Sequence, residues 1–111
     1  MERIHYAGDS LLTGTDIARA LIEYANALAM AEQSATVEIP VQLPDGTIGR
    51  ANFLIGPASQ LVSQTETSSF DEVVDPALVE RLTRETGRLR PARPVSGAGG
   101  TDAELNRMDE L

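Results

Sequence analysis

The chain reads as an α+β domain: two layers, an antiparallel sheet of three to four strands, two helices on one face, in the order β-α-β-β-(β)-α. Three observations predict this. From Ile17 to Ala31, apolar residues recur at spacings of three and four, the period of a helix. At Val37 the period changes to two: Val37, Ile39, Val41 and Leu43 alternate with Glu38, Pro40 and Gln42. Pro44-Asp45-Gly46 then separates this run from a second β-prone run ending at Ile55, the signature of a hairpin. Strands and helices mixed along the chain, with a local antiparallel hairpin, imply a mainly antiparallel sheet with the helices packed against one face.

Residues 3–7 are β-prone and stop at Gly8, which predicts a short first strand; Gly8-Asp9-Ser10 is read as its turn, after which Leu11-Leu12 extends or re-enters the sheet. Thr13 or Thr15 is the expected N-cap of a long helix over residues 13–33, with Asp16 three residues after Thr13 completing a capping-box pattern. Only Arg19, Glu23, Asn26 and Gln33 make a polar stripe on this helix. Ile17, Leu21, Tyr24 and Leu28 form one apolar line, and Ala18, Ile22, Ala25 and Ala29 the next. A helix that covers one sheet needs an apolar stripe of about 100°; this one exceeds it, so contact on a second side is expected.

In the hairpin, Pro40 has no N–H to give a ladder, which predicts an edge strand or a nitrogen turned outward. Gly56-Pro57 breaks the return strand, and the stretch from Ala58 to Thr65 has room for another short one. Asp75-Pro76 opens a second helix with an acidic N-cap and proline at the first helical position; Gly87 is its expected stop. Its apolar face, Leu78, Val79 and Leu82, is thin. Residues 1–90 are thus one domain, and residues 91–111 a flexible Pro/Gly-rich tail with room for a short helix.

The composition excludes several chemistries. The 111 residues contain no cysteine, so disulfides, thiolate metal sites and thiol catalysis are out. The N-terminal residues carry no apolar leader, and no apolar run approaches the length of a membrane span, so a soluble, cytoplasmic protein is expected. The net charge is −8, which disfavours nucleic acid. Every basic residue is arginine, and Arg81, Arg84, Arg88, Arg90 and Arg93 are concentrated in one short stretch.

Four motifs come near to chemistry. Gly8-Asp9-Ser10-Leu11 resembles the nucleophile block of GDSL-type esterases, which implies a serine nucleophile. That family also uses a histidine late in the chain, three residues after an aspartate; here the single histidine is His5 and no Asp-x-x-His exists, so Gly8-Asp9-Ser10 is read as a turn. His5 alone lacks partners for a base or metal ligand. Asp71, Glu72 and Asp75 cluster without the spacing of a hard-cation loop, and are read as a solvated segment favouring the positive end of the second helix. Gly97-Ala98-Gly99-Gly100 has the composition of a phosphate loop but not its context, and is read as linker.

Contact, more than catalysis, is therefore the expected mode of action. The first expectation is a non-enzymatic protein-interaction module that forms a homodimer, using Ile17, Leu21, Tyr24 and Leu28 of the first helix, or the arginine face Arg81, Arg84 and Arg88, which lie at i, i+3, i+7 on the second. The alternative is a small-molecule binder or minor enzyme with a pocket near the end of the first strand, at His5, Tyr6, Asp9 and Ser10. No cofactor, metal or membrane is called for in either case.

Overall fold

A computed structural model describes residues 1–90; the expected tail falls outside them. The elements are β1 (Glu2–Tyr6), β2 (Asp9–Thr13), α1 (Thr15–Met30), β3 (Ala35–Gln42), β4 (Ile48–Ile55), β5 (Leu61–Thr65) and α2 (Pro76–Leu89). The class is α+β: a five-stranded antiparallel sheet, ordered β4-β3-β2-β1-β5, with two helices. One of the strands, β2, goes beyond the expected three to four. Asp9 and Ser10 belong to β2 and not to a turn, because the chain reverses within Ala7-Gly8 alone, both at positive φ (51° and 81°). Positive φ at both central residues is the backbone of the two-residue hairpin turns that match strand twist. The short strand after Gly56-Pro57 also forms, as β5, and pairs with β1 at the far edge.

The β3–β4 hairpin follows its sequence pattern. Leu43 N–H donates to Thr47 O at 2.8 Å and Gly46 N–H to Leu43 O at 2.9 Å, closing a three-residue turn with Gly46 at φ +89°. Hydrogen-bonded pairs alternate along an antiparallel ladder. From Leu43–Thr47, the alternation makes Val41–Gly49, Ile39–Ala51 and Val37–Phe53 bonded pairs and leaves Pro40–Arg50 a non-bonded one. Pro40 therefore sits where its missing N–H breaks nothing between β3 and β4. Its carbonyl faces the other neighbour, where the buried Thr13 hydroxyl donates to it at 2.8 Å.

Thr13 is thus spent on β3, and Thr15 does not cap either. The N-cap of α1 is Gly14, with no side chain to offer. The carboxylate of Glu72 supplies the cap from another part of the chain, accepting Thr15 N–H at 2.6 Å. A Cβ on Gly14 would stand 1.8 Å from the carbonyl oxygen of Val73, so only glycine lets the two backbones come this close. At the other end, Glu32 takes φ +56°, and Gln33 N–H returns to Leu28 O at 3.0 Å, the Schellman arrangement.

Asp75 caps α2 as its sequence indicates, accepting Leu78 N–H at 3.1 Å. The helix does not stop at Gly87 but continues to Leu89. Its side chains Leu78 and Leu82 join Ile17, Leu21 and Leu28 of α1 and Ile4, Val37, Ile39, Phe53 and Ile55 of the sheet in one core. This is the second contact that the over-apolar α1 demands: its most extensive helix or strand neighbour is α2. Ile17 and Leu21 are 0% exposed and Leu28 2%. Three of the four residues expected at an interface between copies thus lie inside the monomer, because a few large residues on α2 suffice to cover them, and Tyr24 is half-buried.

Candidate functional site

One end of the sheet is drawn together. Tyr6, at the end of β1, donates its hydroxyl hydrogen to the carbonyl of Leu54 on β4, three places away in the strand order. At a strand spacing of about 4.8 Å, a flat sheet would hold them roughly 14 Å apart, well beyond a tyrosine side chain. The strands must converge here. β2 and β3 share only the pair Leu12–Gln42, whereas β3 and β4 pair over all eight residues, so the sheet bends at the β2–β3 joint. The ring of Tyr6 meets Phe53 edge-on at 5.1 Å, which anchors the bend in the core. Residues 56–60 then cross from the β4 edge to the β5 edge, a link of at most roughly 20 Å that a curled sheet makes short enough.

The convergence leaves a broad open cleft of about 1000 Å³. The β1–β2 turn forms one wall, with His5, Tyr6, Asp9 and Ser10; Leu54 and residues 56–60 form the opposite one. The four residues that the sequence suggests as a pocket are thus brought together. Pleating puts Leu54 and Val62 on the solvent side, 65% and 59% exposed, so the cleft offers apolar surface beside its polar groups.

His5 and Ser10 are directly opposed across the β1–β2 ladder. Their hydrogen bonds go elsewhere. The ring Nε2 of His5 lies 3.3 Å from Gln64 Oε1, and Ser10 Oγ accepts from Arg3 Nη1 at 3.2 Å. Arg3 is itself held by Glu66 through two bonds of 2.7 and 2.8 Å. That bond holds the Glu66 carboxyl below the ordinary carboxylate range and raises the Arg3 guanidinium. Ser10 Oγ thus faces Arg3 and the His5 ring faces Gln64, so these two side chains are not joined as the nucleophile–base pair of acyl transfer. Asp9 Oδ1 accepts the N–H of Ser10 at 2.9 Å and shapes the turn.

The remaining sequence candidates lie apart from the cleft. Arg81, Arg84 and Arg88 are exposed on α2; Arg88 pairs with Glu85 at 3.1 Å. Tyr24, half-buried under α2, has its phenol pushed up by burial and then by Glu85, with Arg81 opposing. The acidic cluster is divided by function: Asp75 caps α2, while Glu72 caps α1 and also lies 3.1 Å from the Met1 ammonium. Among the described residues no group of three or more His, Asp or Glu is placed to hold a metal, and no helix is long and apolar enough to cross a membrane. Sequence reasoning missed Leu54, Val62 and residues 56–60 as site components. The available signal was Gly56-Pro57, which marks the crossing.

No family model, curated protein or solved structure matches the chain.

Proposed function

We propose that this is a non-enzymatic binding domain whose ligand occupies the cleft between the β1–β2 turn and the β4–β5 crossing. The observation that carries the reading is the convergence of His5, Asp9 and Ser10 with exposed Leu54 and Val62 around one concavity. Its volume is at the upper end of small-molecule sites, which are apolar surfaces with a few placed polar groups. The ligand that fits is amphipathic: an apolar body against Leu54 and Val62, and a hydrogen-bonding end toward Ser10, Asp9 and His5. The test is a fragment screen read by amide chemical shifts. Ligands are expected to move residues 5–10 and 56–62, and a Leu54→Arg variant to abolish the shifts. A screen whose ligands all perturb α2 instead would sink the proposal.

A protein partner at the arginine face is a second reading, supported by the exposure of Arg81, Arg84 and Arg88 on one helix. Capture from the native organism, with charge reversal at all three as control, tests it; recovery of the same proteins by both forms would remove the arginine face as the contact.

A further inference from the structure

β4 is eight residues long, stands at the edge of the sheet and carries one of the devices that keep edges apart, the charge of Arg50, which is paired with Glu38 of β3 at 3.2 Å. It has no proline and no lysine, and its register with β3 runs without a bulge. The ladder alternation set by Leu43–Thr47 turns the backbone N–H and C=O groups of Ile48, Arg50, Asn52 and Leu54 away from β3. All four side chains are exposed, Ile48 at 57% and Leu54 at 65%. Of the outward groups, the Leu54 carbonyl already accepts from Tyr6 and keeps a second lone pair.

We infer that β4 is a self-association edge that pairs with β4 of a second copy, antiparallel, about a two-fold axis at Ala51. The pattern of the strand is what selects a second copy as the occupant. With the axis at Ala51, Ile48 lies against the partner's Leu54, Leu54 against the partner's Ile48, and Arg50 against the partner's Asn52. Each exposed apolar residue gains an apolar cross-strand neighbour, and no like charges are opposed. The neighbouring registers that keep the faces aligned fail. An axis at Arg50 sets arginine against arginine, and one at Asn52 sets Arg50 against Leu54 and leaves Ile48 opposite Gly56. A strand that is complementary to itself in one register meets the requirement of an isologous interface. Because Leu54 also lines the cleft, the second copy adds Ile48 to its rim. The inference stands independently of what the cleft holds.

Light scattering on the full chain tests it, with two variants. The wild type is expected at about twice the chain mass of 11.9 kDa. Asn52→Pro removes an outward N–H while sparing the β3 ladder, and is expected to halve the mass. Ala51→Cys places a thiol on the axis, where Cα atoms of a non-bonded pair stand about 4.5 Å apart, within disulfide reach. In a chain with no other cysteine it is expected to oxidise to a covalent dimer, while Ile48→Cys is not. A wild type that stays monomeric at millimolar concentration overturns the inference. So does a dimer that Ala51→Cys fails to cross-link. If Asn52→Pro does not fold, the two cysteine variants decide.

Discussion

Glu72 caps a helix that begins fifty-seven residues before it: its carboxylate accepts the N–H of Thr15 at 2.6 Å. The cap fastens the segment before α2 to the start of α1. That hydrogen bond, with desolvation opposing, holds the Glu72 carboxyl below the usual range. A folded-state value below the unfolded one means that the unfolded chain binds the proton more readily. The contribution is then full above about pH 4.3 and is lost as pH falls through the depressed value. Glu72→Ala is expected to cost about 1 kcal/mol at neutral pH, the size of an N-cap, and less in practice because the side chain is 42% exposed. Urea titrations at neutral and acid pH check this: the gap between wild type and variant should close in acid.

Two glycine substitutions should move stability in opposite directions. Gly14→Ala drives a Cβ to 1.8 Å from the Val73 carbonyl oxygen, a backbone atom that cannot swing away, and should cost about 2–3 kcal/mol. Gly87→Ala lies inside α2 with nothing within 4 Å, and should stabilise by about 0.5–1 kcal/mol. Denaturant midpoints for the pair provide the measurement, and equal signs would refute the close approach of the two backbones.

Ala7 occupies a positive-φ turn position that asparagine tolerates better. Ala7→Asn should therefore raise the thermal midpoint, by the equivalent of about 1 kcal/mol. A drop would mean that the β1–β2 turn is not of this type.

Tyr6→Phe removes the hydroxyl that reaches Leu54 and leaves the ring on Phe53. The expected loss is about 1 kcal/mol. Hydrogen exchange should accelerate for residues 54–60 more than for the β3–β4 hairpin turn, since this bond holds the curled end of the sheet together.

Leu21→Ala separates core from interface. As a residue that is 0% exposed within one copy, it should lose about 2–5 kcal/mol regardless of protein concentration. A cost that appears only at concentrations where copies associate would restore α1 to an interface.

The residues themselves determined what depends on neighbours in the chain. The period-three-and-four run gave α1, the period-two run and Pro44-Asp45-Gly46 gave the β3–β4 hairpin, and Asp75-Pro76 gave the start of α2, because propensity, pleat and capping act over a few residues. His5, Tyr6, Asp9 and Ser10 were also legible as a cluster, since a tight turn brings them together. What the tertiary structure alone decided acts across the chain. The cap of α1 comes from Glu72, so no N-cap rule applied to residues 13–16 could find it. The cover on Ile17, Leu21 and Leu28 comes from α2, so their apolar excess reads as a surface until the second helix is in place. The opposite wall of the cleft comes from Leu54 and residues 56–60, because the sheet bends where β2 and β3 share a single pair, and no local pattern encodes a joint between strands separated by a helix.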